Sequence, residues 1–117
     1  MRMIYIVEDD EGIREVLEIL LDSEDYSFKS FADVEKFKNR DLLVVPDLYI
    51  FDVRLPDGSG IDLCNEIRHD GNPDVPIMMM SAHANPTSIQ AQCSPDSFIS
   101  KPFDIDNFLS KIRTILA

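Results

Sequence analysis

Short apolar runs alternate with longer amphipathic segments along the whole chain. Residues 3–7, 48–51 and 76–80 are almost entirely apolar and are bounded by polar or turn-forming residues, which is typical of buried strands. Residues 26–31 and 97–100 show a weaker strand pattern. The hydrophobic pattern therefore predicts five strands.

The segment after the first strand has the spacing of an amphipathic helix. Ile13, Val16, Leu17 and Leu20 lie at positions i, i+3, i+4 and i+7, and Asp10 is a suitable N-cap for this helix. The same spacing predicts three more helices, with inward-facing residues Val34 and Phe37; Ile61, Cys64 and Ile67; and Ile105, Phe108, Leu109, Ile112 and Ile115.

Strands and helices alternate five times along the chain. The weakest segment is residues 82–95, where only Ile89 is strongly apolar and a short or frayed helix is expected. The alternation indicates an α/β fold in which a parallel sheet carries helices on both faces. A length of 117 residues fits one domain, so we expect residues 1–117 to form a single unit.

The chain is strongly acidic, with a formal net charge of −11. This argues against direct nucleic-acid binding, which requires clustered Lys and Arg for the phosphates. No stretch approaches the roughly 18 apolar residues of a membrane helix, and the N-terminus does not resemble a signal peptide. Cys64 lies in a helical pattern, Cys93 lies in a loop-like stretch, and they form no zinc motif. We therefore expect a cytoplasmic protein with reduced thiols and no membrane association.

Polar side chains follow four of the five predicted strands. Glu8 and Asp9 follow the first strand, Asp52 ends the third, Ser81 ends the fourth and Lys101 follows the fifth. A single Asp at a strand end is often only a cap or a turn former. In a parallel sheet, however, all these strand ends lie at one edge, where open α/β sheets bind ligands. The combination predicts a site at that edge.

The residue types at this edge indicate phosphoryl chemistry. Carboxylates held close together repel one another, and Mg²⁺ relieves that repulsion at a site made only of oxygen ligands. A carboxylate beside Mg²⁺ can attack a phosphoryl group and form an acyl phosphate. Lys101 and the Ser81 hydroxyl would neutralise and bind the transferred oxygens. Lys101 can pair with Asp52 when no phosphoryl group is present.

Four segments together resemble a known family. Residues 6–9 (IVED), 51–60 (FDVRLPDGSG), 81–82 (SA) and 100–103 (SKPF) resemble the receiver domain of two-component response regulators. The resemblance covers the whole chain. It implies a flavodoxin-like, doubly wound (βα)5 fold with a five-stranded parallel sheet of order 2-1-3-4-5.

The resemblance also assigns the acidic residues. Asp52 would be the phosphoacceptor, taking its phosphoryl group from a sensor histidine kinase or a histidine phosphotransfer protein. Asp9 and Asp52 would bind Mg²⁺, Glu8 would assist through a water molecule, and the backbone carbonyl of Arg54 would complete the protein ligands. The product would be a phosphorylated switch that binds a downstream protein.

Ser81 and Lys101 would bind phosphoryl oxygens in this family, and the Lys101–Pro102 peptide would be cis. The resemblance further implies a switch in which the Ser81 hydroxyl moves toward the phosphoryl group and Phe98 turns in behind it. Phe98 could also be simple strand packing.

Two further residues have positions that tune phosphate hydrolysis in receivers. Arg54 and His83 lie two residues after Asp52 and Ser81. We expect them to set the lifetime of the aspartyl phosphate; the alternative is that both are solvated loop side chains.

Other classes of protein share part of this pattern. Phosphatases of the haloacid dehalogenase type need a second Asp two residues after the nucleophile, where this chain has Arg54. A flavodoxin is disfavoured because the acidic turn at residues 8–12 would repel a flavin phosphate. We therefore expect a phosphoacceptor switch rather than an enzyme, with only self-catalysed phosphotransfer and autodephosphorylation. The alternative is an adaptor with the receiver fold that works without phosphorylation.

Overall fold

The structure is a computed structural model that describes residues 2–82 and 86–117. In this part of the chain the elements are β1 (Met3–Val7), α1 (Glu11–Ser23), β2 (Ser27–Phe31), α2 (Val34–Lys38), β3 (Leu48–Asp52), β4 (Arg54–Leu55), β5 (Gly58–Ser59), α3 (Gly60–Asp70), β6 (Ile77–Ser81), α4 (Pro86–Cys93), β7 (Ser97–Ser100) and α5 (Ile105–Leu116). No helix among the described residues is long and apolar enough to cross a membrane.

The five longer strands form one parallel sheet in the order β2-β1-β3-β6-β7. Counted along the chain, this is the order 2-1-3-4-5, so the predicted fold is confirmed. The remaining two strands, β4 and β5, form a small antiparallel hairpin between β3 and α3. The sequence pattern showed only turn residues there.

The sheet is buried on both faces, which explains the unbroken apolar runs in its strands. In β3, Tyr49 and Phe51 belong to one core, while Leu48 and Ile50 belong to the other. Helices α2, α3 and α4 complete the first core, and α1 and α5 complete the second. Because successive side chains of a strand point to opposite faces, only a continuous apolar run can fill both cores.

Two aspartates fix the strand pairing at the N-terminal edge of the sheet. The Asp47 N–H donates to the Met3 carbonyl at 2.7 Å, and the Met3 N–H donates to Asp47 Oδ2 at 2.8 Å. Asp96 makes the same reciprocal pair with Ile77, at 2.9 and 2.8 Å. Each Asp directly precedes a strand, so its side chain satisfies a backbone donor of the neighbouring strand.

The predicted inner faces of α1 and α5 are partly wrong. Val16 is 45% exposed and Ile105 is 50% exposed, whereas Leu21 and Leu116 are buried. Apolar residues occur on more than one face of both helices, so their spacing alone does not define which stripe packs on the sheet.

The short helix expected between the last two strands is present as α4. Cys93, which was predicted in a loop-like stretch, is its last residue and is buried beside Cys64 of α3. The Cys64 thiol donates to the Cys93 carbonyl at 3.2 Å, and both thiols are free. Burial raises the pKa of Cys64 to about 12, so its reactive thiolate is scarce near neutral pH.

Candidate functional site

The carboxyl edge of the sheet brings together the side chains predicted to meet there. Glu8 and Asp9 directly follow β1, Asp52 ends β3, Ser81 ends β6 and Lys101 directly follows β7. All five line one cavity of about 290 Å³, together with Asp10, Ile13, Arg54 and Ala82. This convergence follows from the parallel sheet, because its strand ends lie side by side.

Lys101 is the positive centre of the site. Its Nζ lies 2.5 Å from Glu8 Oε2 and 3.2 Å from Asp52 Oδ2. The three side chains are 11%, 0% and 10% exposed, respectively, so these ion pairs are shielded from water. Charges that are shielded from water need well-placed partners. Lys101 is that partner for both Glu8 and Asp52. The Lys101–Pro102 peptide is cis.

Three carboxylates form a cluster at this site, and two of them pair with Lys101. Glu8, Asp9 and Asp52 each place a carboxylate oxygen within 4.8 Å of the other two. Asp10 is adjacent in sequence, but its carboxylate caps α1 by accepting from the Ile13 N–H at 3.0 Å. An oxygen-only donor set with an excess of negative charge fits a hard divalent cation such as Mg²⁺.

Burial and the mutual attraction of charges shift the protonation of the central pair. Burial raises the pKa of Glu8 to about 7, even though the hydrogen bonds with Lys101 and the Asp10 N–H oppose the shift. Burial alone would lower the pKa of Lys101, but Glu8 and Asp52 outweigh burial and raise that pKa. Lys101 therefore stays charged, while Glu8 titrates near neutral pH.

Gly60 lets the start of α3 come very close to the end of β3. A Cβ atom on Gly60 would lie 2.0 Å from the Asp52 carbonyl oxygen, a distance that no side chain tolerates. The Gly60 N–H also donates to the Val53 carbonyl at 2.9 Å. The turn-rich run after Asp52 was the only sequence signal, and it did not reveal this close approach.

The remaining predicted residues have different surroundings. Ser81 is 4% exposed at the cavity. Phe98 is half-buried and packs against the core formed with α2, α3 and α4. Arg54 is exposed and lines the cavity, whereas His83 lies outside the described residues.

Comparison with known proteins places this site in a family. The sequence model of the response regulator receiver domain matches residues 4–113. The chain belongs to the response regulator receiver domain family. Receiver domains are phosphoacceptor switches of two-component systems, and they bind Mg²⁺ at an acidic pocket. The phosphoacceptor function of the family does not favour the alternative of an adaptor that works without phosphorylation.

Curated relatives include the response regulator ArlR of Staphylococcus aureus strain Mu50, which is 31% identical over 116 residues. ArlR of Staphylococcus epidermidis is 30% identical over 116 residues. In both cases the match covers 99% of this chain but 53% of the relative, so this chain spans about half the length of these relatives. Both relatives are named as response regulators.

Solved structures support the same assignment. The response regulator TrrA of Thermotoga maritima, in complex with Mg²⁺ and BeF, is 28% identical with a TM-score of 0.88. The match covers 99% of this receiver domain and 100% of that chain. The chemotaxis response regulator CheY4 of Vibrio cholerae, at 21% identity, has a TM-score of 0.89 over 99% of both chains and shows the shared fold.

We predict that Glu8→Gln changes how stability depends on pH in the metal-free domain. The pKa of Glu8 is about 7 in the folded state against an ordinary value of 4.5. The folded state thus binds the proton more tightly, and the contribution of Glu8 to the free energy of unfolding falls as pH rises through this interval. The unfolding free energy of Glu8→Gln relative to wild type should therefore rise from about pH 5 to about pH 8.

Urea unfolding in the presence of EDTA measures this difference. Glu15→Gln on the exposed face of α1 is the matched control and should follow the wild-type pH profile. A constant difference between Glu8→Gln and wild type across the pH range would contradict the assignment.

Proposed function

We propose that Asp52 accepts a phosphoryl group from a phosphohistidine in a partner protein. The observation that carries this proposal is the position of its carboxylate, which pairs with Lys101 at 3.2 Å and belongs to the acidic cluster of Glu8, Asp9 and Asp52. Asp52 is the last residue of β3 and lies beside an open cavity, with Gly60 packed closely against its backbone carbonyl. A carboxylate that is fixed in position beside a cation is a suitable nucleophile for phosphoryl transfer.

The acidic cluster fits Mg²⁺ by the chemistry of its donors. Asp9 and Asp52 would bind the ion directly, Glu8 would assist through water, and the backbone carbonyl of Arg54 would complete the protein ligands. The bound ion would supply positive charge that offsets the negative charge of the transferred oxygens. The relative TrrA was solved with Mg²⁺ and BeF, which supports the same use here.

In the proposed transfer, a carboxylate oxygen of Asp52 attacks the phosphorus atom of the phosphohistidine. The O–P bond forms as the P–N bond breaks, and the electron pair of the broken bond stays on the imidazole nitrogen. Lys101 exchanges its contact with the Asp52 carboxylate for a phosphoryl oxygen, and the Ser81 hydroxyl donates to another. Attack of water on the phosphorus later restores the carboxylate.

The same proposal includes the response to phosphorylation. Movement of Ser81 toward the phosphoryl group would free space for Phe98, which is half-buried and packs against the core formed with α2, α3 and α4. Arg54, at the rim of the cavity, and His83 would set how fast water reaches the phosphoryl group. The chain would act as a switch whose only chemistry is self-catalysed phosphotransfer and autodephosphorylation.

An apolar surface beside the site supports a protein as donor. A shallow cavity of about 360 Å³ lies next to Lys101 and is lined almost entirely by apolar groups of α1, of residues 102–103 and of the first residue of α5. Val16 and Ile105 on this surface are 45% and 50% exposed.

A sensor histidine kinase or a histidine phosphotransfer protein is the proposed partner. The free thiols of Cys64 and Cys93 fit a cytoplasmic setting.

Intact-mass measurement after incubation with acetyl phosphate and Mg²⁺ tests the proposed function. Wild type should gain one phosphoryl group, and Asp52→Asn should gain none because the amide is not a nucleophile. Asp106→Asn, an exposed change of the same kind in α5, should label like wild type. Labelling of Asp52→Asn at the wild-type level would overturn the proposal. If wild type gains no mass and also traps no beryllofluoride, the adaptor alternative is favoured instead.

We also predict that Lys101→Met increases the affinity for Mg²⁺. The Lys101 ammonium group lies among the proposed ligands and repels a second cation, and its removal takes away the positive charge that pairs with Glu8 and Asp52. The gain should be about fivefold or more, because unit charges a few ångströms apart interact by about 1 kcal/mol or more even when well screened. Isothermal titration calorimetry measures the affinity, with the exposed Lys36→Met as the control. Unchanged or weaker binding by Lys101→Met would contradict this electrostatic account.

A further inference from the structure

The first turn of α2 is capped by two carboxylates that are far apart in sequence. Asp33 Oδ1 accepts from the Lys36 N–H at 2.8 Å, as an ordinary N-cap. Asp57 Oδ1 accepts from the Val34 N–H at 2.8 Å, and Asp57 Oδ2 accepts from the Glu35 N–H at 3.0 Å. Together the two side chains satisfy the free N–H groups at the start of this helix.

Asp57 belongs to the β4–β5 hairpin, which directly follows the proposed phosphoacceptor. Helix α2 has five residues and each strand of the hairpin has two, so neither element is stable alone. Among the residues that the structure describes, the hairpin tip is hydrogen-bonded to another element through Asp57, which accepts two bonds from α2. A Cβ atom on Gly58 would lie 3.0 Å from Val34 Cγ2, so the two elements are also in close contact.

Backbone hydrogen bonds hold the residues that flank the hairpin, Val53 and Gly60. The Val53 N–H donates to the Met80 carbonyl at 3.0 Å, and the Gly60 N–H donates to the Val53 carbonyl at 2.9 Å. Between these anchors lies Arg54, whose backbone carbonyl is a proposed Mg²⁺ ligand. Arg54 itself is on the first strand of the hairpin, where it pairs with Ser59. Each strand has two residues, so the orientation of the Arg54 carbonyl also depends on how Asp57 holds the outer end of the hairpin.

We propose that Asp57 is a positioning residue for the phosphorylation site, because its attachment to α2 fixes the hairpin and with it the Arg54 carbonyl. This inference rests on the proposed function, since it concerns the same metal-binding cluster. Asp57 neither lines the cavity of the site nor belongs to its carboxylate cluster, so it would act through the backbone between residues 54 and 58. The hydrogen bond from the Val34 N–H lowers the pKa of Asp57, which keeps its carboxylate charged for this role.

Mg²⁺ affinity, measured by isothermal titration calorimetry, tests the inference. Asp57→Ala frees the hairpin tip and should weaken Mg²⁺ binding by about tenfold, the lower end of the range for groups that orient metal ligands. Asp57→Asn keeps one acceptor oxygen and should show a smaller loss. Circular dichroism at the titration temperature verifies that each variant is folded.

Asp33→Ala is the matched control, because it removes the other cap of the same helix without touching the hairpin. It should lower the urea stability much as Asp57→Ala does, yet leave Mg²⁺ affinity within about twofold of wild type. Equal losses of Mg²⁺ affinity in the two variants would overturn the inference, since general loosening of α2 would then explain both. Wild-type Mg²⁺ affinity in Asp57→Ala would also overturn it, while leaving the proposed function intact.

Absence of Mg²⁺ binding and of phosphorylation in wild type would instead overturn the proposed function, and the inference with it. The two failures are therefore distinguishable by the wild-type titration alone.

Discussion

The ammonium group of Lys101 lies between the carboxylates of Glu8 and Asp52, largely shielded from water, and so ties together the ends of three strands. None of these charges could stay at its position alone, since burying an unpaired charge costs several kcal/mol. With Asp9 nearby, the cluster still has more negative than positive groups. These ion pairs hold the ends of β1, β3 and β7 in place. The same cluster also provides a place where a divalent cation and a phosphoryl group can bind.

The sheet that carries this cluster was predictable because its signals are local. Continuous apolar runs marked β1, β3 and β6, and the polar residue after each run marked the edge where the site lies. The inner faces of α1 and α5 were less predictable, since residues such as Val16 and Ile105 match the helical spacing and still face outward. The spacing of apolar residues indicates that a helix is amphipathic, but packing against the sheet decides which of its faces is buried.

Features that depend on distant contacts could not be predicted. Asp57 looks like a turn residue in the sequence, and only the folded chain shows that it caps a helix more than twenty residues earlier. Gly60 looks like one more turn glycine, yet its lack of a side chain lets the start of α3 reach the Asp52 carbonyl. The protonation of Glu8 likewise depends on burial and on Lys101, neither of which is visible in a linear pattern.

Locating the phosphoryl group on the chain is the most direct test of the account. Borohydride reduction of the domain labelled with acetyl phosphate converts an aspartyl phosphate to homoserine, and tandem mass spectrometry then identifies the modified residue. The charge arrangement predicts one modified position, Asp52, because its carboxylate pairs with Lys101, belongs to the acidic cluster and lines the open cavity. Homoserine at Asp9 or at any other acidic residue, with Asp52 unmodified, would contradict it.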